Sequence, residues 1–168
     1  MEREKIVIEL CGGKMPEKAH VTDAAFDVFT RGDVELAPYL RTAIPLGFKM
    51  QLPSHLAAVI QPRSGMSLKG MACKIRTQNG DIDARIDADE FVGLVDSGYT
   101  GEVCALVRVG CGSTPKLCNG KNYGVFIPAG TKIAQMRIVE IPSTELVCGT
   151  IDKDTERGEG GFNSTGVK

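Results

Sequence analysis

Apolar positions along this chain fall in short runs and weak two-residue alternations, not in helical periods. Ile6–Leu10 alternates weakly, Thr42–Met50 is apolar but broken by Pro45, and Leu56–Ile60 is a short continuous run. Val103–Val109, Val125–Ile127 and Lys132–Ile141 follow the same pattern. Turn-formers separate them: Gly12-Gly13, Gly32-Asp33, Pro53-Ser54, Gly112-Ser113, Asn119-Gly120 and Pro128-Ala129-Gly130. Short apolar runs bounded by such clusters predict strands, and no stretch keeps a helical period for three turns. The expected class is therefore all-β, a sandwich or barrel, with one short helix from Ser64 toward Lys69. Two stretches read as insertions between strands. Lys74–Asp89 carries Asp81, Asp83, Asp87 and Asp89 and is expected to be a solvated hairpin; Gly110–Tyr123 is rich in Gly, Asn and Lys.

Composition narrows the class. At 168 residues the chain is expected to form one domain with a proper core. Its 20 basic and 21 acidic side chains nearly cancel, which leaves no electrostatic footprint for nucleic acid or an anionic membrane. No apolar run approaches the ~20 residues of a membrane span, and Met1–Lys5 is not followed by a signal-peptide core. The six cysteines are scattered without a Cys-x-x-Cys pair, and there are only two histidines. Free thiols in a reducing cytoplasm are expected rather than zinc, with Cys111 and Cys118 able to approach each other across a loop.

The residues that could carry chemistry lie in five segments. Pro62-Arg63-Ser64-Gly65-Met66-Ser67 offers free N–H groups, a hydroxyl and a guanidinium, a set that suits a polyphosphate. Gly93–Glu102 runs from apolar residues into a Ser97-Gly98 tip, as a β-hairpin would, with Asp96 and Tyr99 on either side. A carboxylate there can orient and deprotonate water, and a ring can support a sugar. Asp27 is an acid at a strand edge, and Gln135 is a polar residue within a strand. Near the C-terminus, Arg157-Gly-Glu-Gly-Gly-Phe162-Asn-Ser164-Thr165-Gly166 can fold over a bound group: glycine backbone and hydroxyls reach phosphate oxygens, and Phe162 stacks on a base. No Ser–His or Cys–His pair is suggested, so direct attack by water is favoured over a covalent intermediate.

In this order, from Asp23 to Gly166, the five segments resemble the trimeric dUTPases. The resemblance implies a distorted jelly-roll β-barrel over 1–150 and a mobile C-terminal arm, 151–168, closing a neighbouring active site of a homotrimer. It implies Mg²⁺-assisted hydrolysis of dUTP to dUMP and pyrophosphate, which limits uracil in DNA and supplies dUMP for thymidylate synthesis. Asp96 would be the general base, with Glu102 a rival further along the returning strand. Tyr99 would lie under the deoxyribose, and the backbone around Gly93 and Val95 would read uracil. Arg63, Ser64, Gly65 and Gln135 would hold phosphates, and Asp27 would support the metal through water. Arg157, Phe162, Ser164 and Thr165 would close over base and γ-phosphate. Ala25 and Asn163 stand where the family usually has glycine, and Glu90 falls near a position where some members use asparagine on uracil. Two other readings stand beside this one: a dCTP deaminase-related enzyme, which would need a glutamate-centred site, and a nucleotide-switched interaction protein with the 74–89 insertion as its partner surface.

Overall fold

The computed structural model describes residues 4–37, 40–110, 124–155 and 158. The described residues form thirteen strands and one short helix. In order these are β1 (Val7–Leu10), β2 (Phe26–Phe29), β3 (Val34–Leu36), β4 (Arg41–Pro45), β5 (Phe48–Gln51) and β6 (Leu56–Gln61), then α1 (Ser64–Lys69). There follow β7 (Met71–Thr77), β8 (Gly80–Ile86), β9 (Ala88–Phe91), β10 (Gly93–Val95), β11 (Cys104–Val109), β12 (Val125–Ile127) and β13 (Lys132–Glu140). All pairings are antiparallel, in four small sheets ordered β1-β5, β10-β6-β13-β2, β4-β11-β9 and β3-β12-β7-β8. Their inner faces share one core, in which Val28, Ile44, Phe48, Ile60, Val107, Ile127 and Ile133 are buried. This is the all-β class that the periodicity predicts, in the jelly-roll-like form that the resemblance implies. Among the described residues no helix is long and apolar enough to cross a membrane.

Pro45 ends β4 instead of interrupting a longer strand, and the chain turns at Gly47 (φ 72°) into β5. That turn is closely packed: a Cβ on Gly13 would lie 2.3 Å from the Leu46 carbonyl oxygen. The Gly47 carbonyl accepts from the N–H groups of Cys11 and Gly13. The 74–89 insertion is the expected hairpin, β7–β8, turning at Gln78-Asn79. Its outer part is exposed and laced by Lys74–Asp83 and Arg76–Asp81 ion pairs, whereas Met71 and Ile86 at its base are buried in the core. Cys11, Cys73, Cys104 and Cys148 are free thiols; Cys111 and Cys118 lie outside the described residues. From Ile141 to Thr155 the chain has no strand or helix and every residue is exposed, including Leu146, Val147 and Ile151.

Candidate active site

The segment Gly93–Glu102 begins as a hairpin and then splits. Its stem pairs β9 with β11 from Ala88↔Val109 to Phe91↔Leu106. Beyond Phe91 the leading arm leaves β11, and Gly93–Val95 pairs with Ile60–Ala58 of β6 instead. The returning arm is held on the other side, where the Val103 N–H donates to Phe48 and its carbonyl accepts from Leu46. Between the parted arms lies a cleft of about 220 Å³ lined by Gly93, Leu94, Val95, Asp96, Tyr99 and Cys104, among others. Parted strands leave backbone N–H and C=O groups without ladder partners, and such groups can pair with the edge of a planar polar ring.

At the tip, the Tyr99 N–H donates to the Asp96 carbonyl and closes a turn over Ser97-Gly98. The Tyr99 hydroxyl donates to the Glu102 carbonyl at 3.0 Å, which lays the ring across the tip. Gly101 makes room for it, since a Cβ there would lie 2.4 Å from the tyrosine oxygen. Asp96 is exposed at the mouth of the cleft, whereas Glu102 is fully engaged. One Glu102 oxygen accepts from Arg31 at 2.9 Å and the other from the Gly47 N–H at 2.8 Å. A carboxylate held on both oxygens orients the chain and is poorly placed to take a proton from water. Geometry therefore separates the two acids that proximity in sequence leaves as rivals.

Five other candidates lie together elsewhere. Gln135 on β13 stands between Asp27 of β2 and Gln61 of β6. Arg63, at the start of α1, sends its Nε to within 3.2 Å of Asp27 Oδ1, and Lys132 Nζ donates to Asp27 Oδ2 at 2.9 Å. Burial works against the charged form of Asp27, but Lys132, Arg63 and Gln135 outweigh it and hold its carboxyl below the usual range. Ser64 and Gly65 are exposed beside this group. No neighbour lies within 4 Å of a Cβ built on Gly65, and its φ is not left-handed. Folding therefore does not require glycine there. We expect Gly65→Ala to keep the wild-type unfolding midpoint and to weaken triphosphate binding roughly tenfold, because the added methyl stands where phosphate oxygens would approach the backbone N–H groups. Calorimetric titration alongside thermal melts checks both halves.

The two clusters stand far apart on one chain. Continuing the β10–β6 register sets Asp96 opposite Ala57, and Arg63 lies six residues further along an extended backbone. At ~3.3 Å per residue that is about 20 Å. Across the sheet, Asp27 is on the far edge from β10, three strand spacings or about 14 Å away. The acid and the phosphate-type cluster thus occupy opposite corners of one sheet.

Glu90 is the residue whose importance the sequence understated. It faces Val107 across the β9–β11 ladder, hence points toward the core, and it is not among the residues lining the cleft. Both of its side-chain oxygens are buried without a well-formed hydrogen bond. Burial pushes its carboxyl up to about 7, partly opposed by the Arg63 N–H and guanidinium. A folded-state pKa above the ordinary 4.5 gives stability that is full below 4.5 and lost as pH rises through 7. Glu90→Gln cannot ionise, so its stability relative to wild type should improve from pH 5 to pH 8. Denaturant melts at both pH values check this; a constant difference would show that Glu90 titrates normally.

Asp27 also tests the metal expectation. Mg²⁺ takes oxygen ligands, keeps several waters and commonly rests on one or two carboxylates plus substrate phosphates. Asp27 is one carboxylate flanked by two cations, and no group of three or more His, Cys, Asp or Glu converges among the described residues. This donor set fits a hydrated ion carried by phosphate and reached through water, not a cage of protein ligands. Arg157, Phe162, Ser164 and Thr165 lie outside the described residues.

An all-β scaffold with a polar cleft between parted strands, an exposed acid at its mouth and a cationic loop has the chemistry that suits a nucleotide-processing β protein. The comparisons agree. A family model described as dUTPase matches residues 12–88. The deoxyuridine 5'-triphosphate nucleotidohydrolase of Clostridium kluyveri is 37% identical over 154 residues, 91% of this chain and 90% of that one. The structure of a Staphylococcus bacteriophage 80alpha dUTPase with dUPNHPP superposes with a TM-score of 0.76 at 25% identity, covering 98% of this chain and 100% of that one. A dUTPase from phage phi11 of S. aureus, in which a structural Mg(II) ion is coordinated, superposes at 0.69 with 22% identity, over 89% and 99% of the two chains. The chain belongs to the dUTPase family.

Proposed function

We infer that this chain hydrolyses dUTP to dUMP and pyrophosphate, by attack of water on the α-phosphorus in a site shared between copies. The observation that carries the reading is the parted hairpin, with Asp96 unengaged at its mouth while Glu102 is held on both oxygens. The arms around Gly93 and Val95 read uracil through backbone groups. Tyr99 lies against the deoxyribose and leaves no space for a 2′-hydroxyl. Asp96 orients water and accepts its proton. Arg63, Ser64, Gly65 and Gln135 come from a second copy, since their own chain holds them at the opposite corner of the sheet from Asp96. They fix the phosphates before attack, as a polyanion resists a nucleophile until its charge is offset. Mg²⁺ bound with the phosphates would supply further neutralisation, with Asp27 supporting it through water.

A homotrimer is the proposed assembly, with 1–150 as the barrel and 151–168 as the arm that closes a neighbour's site with Arg157, Phe162, Ser164 and Thr165. Leu146, Val147 and Ile151 are 98%, 79% and 78% exposed in a single copy, which suits a segment that finds its cover on another subunit. The direct test is pyrophosphate release from a panel of deoxynucleoside triphosphates and UTP, in heavy-oxygen water. dUTP should be strongly preferred and the label should appear in dUMP. Label in pyrophosphate would refute attack at the α-phosphorus. Tyr99→Ala should weaken rejection of UTP more than of dTTP, and Gly101→Ala, which displaces the same ring, should do likewise; equal leakage would mean that the ring does not guard the sugar.

A further inference from the structure

The β7–β8 hairpin has no part in the site so far described, yet its base is built against the phosphate loop. Gly70 ends α1 at φ 78°, and a Cβ there would meet the Ile86 carbonyl oxygen at 2.8 Å. Beside it, Arg85 of β8 donates from Nη1 to the Gly70 carbonyl at 2.8 Å. The loop, the helix, β8 and β13 enclose a cavity of about 190 Å³ lined by Arg63, Gly65, Lys69, Arg85, Thr131 and Lys132, among others. None of its lining residues is acidic. Asp27 engages Arg63 and Lys132, but among the described residues Lys69 and Arg85 have no carboxylate partner. With Asp27 counted against Arg63 and Lys132, the residues around this space still carry an excess of positive charge, and an anion there offsets it.

We propose that this cavity is an anion site for the terminal phosphates of the nucleotide, and that Arg85, delivered by the inserted hairpin, selects for them. The guanidinium is anchored by one nitrogen on Gly70, which leaves its other donors in a fixed fork suited to phosphate oxygens. The hairpin then acts as an extension of the phosphate loop on this chain, and its rigid base in the core sets the position of the charge. The identity of the nucleotide rests on the dUTPase reading; the anion site itself does not.

Pyrophosphate, inorganic phosphate and dUMP binding to the full chain by calorimetry, with the KM for dUTP, test the proposal. Arg85→Gln should weaken pyrophosphate roughly tenfold to hundredfold and raise the KM for dUTP in parallel, while leaving dUMP affinity as it was. Arg85→Lys should recover most of the loss, and Lys69→Gln should weaken pyrophosphate independently. Asp83→Asn, on the same strand with its partner Lys74 outside the cavity, is the control and should bind as wild type. Unchanged pyrophosphate affinity in both Arg85→Gln and Lys69→Gln overturns the site. A pyrophosphate loss without any change in KM would mean a site for free anions only, and overturns the assignment to the nucleotide's terminal phosphates. Equal losses for dUMP, or in Asp83→Asn, would mean that the hairpin merely supports the loop. Because pyrophosphate binding is read without turnover, a wild-type chain that failed to hydrolyse dUTP would be a separate result.

Discussion

Asp96→Asn should bind dUTP nearly as wild type and turn it over ~10²–10⁴-fold more slowly, the usual contribution of a positioned base. The expectation is sharp because the substitution keeps the size and one carbonyl acceptor while removing the negative charge and the ability to accept a proton. Asp96 is exposed at the hairpin mouth, so its replacement by a neutral isostere leaves the core untouched and unfolding should be unaffected. Glu102→Gln gives the contrast. It would weaken the contacts to Arg31 and the Gly47 N–H, so it should lower the melting temperature more than Asp96→Asn does. Single-turnover rates for both variants, with melts, separate a chemical role from a structural one. Near-normal turnover in Asp96→Asn would move the base elsewhere.

Mixing two nearly dead chains should restore activity. One carries Asp96→Asn and the other Arg63→Gln, and they are co-expressed or refolded together. If the hairpin of one copy faces the phosphate loop of the next in a closed ring, random equimolar assembly leaves about one site in four with both parts intact. The recovered rate should approach a quarter of wild type from parents that differ from zero only slightly. The register that parts Asp96 from Arg63 by about 20 Å is the reason to expect it. A mixture that stays as inactive as its parents would mean that both groups act from one chain. That outcome would require the β10–β6 pairing to rearrange when nucleotide binds.

Much of this protein was legible without coordinates. The helix at Ser64–Lys69 and the strands at Leu56–Gln61, Val125–Ile127 and Lys132–Glu140 stand close to where the apolar runs and turn residues predict them. Their inner faces must be apolar, and that requirement is written locally. Strand β3 is not legible in this way, because three residues between Asp33 and Ala37 leave too little alternation to form a pattern. The candidate acids and cations were legible by type, since phosphate needs guanidinium and N–H donors wherever they come from.

What local pattern cannot carry is which groups meet. The residues alone leave Asp96 and Glu102 open as rivals for one role; only the fold brings Arg31 and the Gly47 N–H to Glu102 and occupies both of its oxygens. Glu90 reads as a variant near the base, and the pairing with Val107 turns it inward toward Arg63 instead. Arg85 reads as one charge in a solvated hairpin, until the ladder with β7 brings it to the Gly70 carbonyl beside the phosphate loop. By itself the sequence determined the β class, the single short helix and the chemical kinds of residue the site requires, because periodicity and side-chain chemistry are local. The tertiary structure decided that Glu102 is held on both oxygens, that Lys69 and Arg85 line one cavity with Arg63, and that Asp96 and Arg63 stand at opposite corners of one sheet, because strand register brings together residues far apart in the chain.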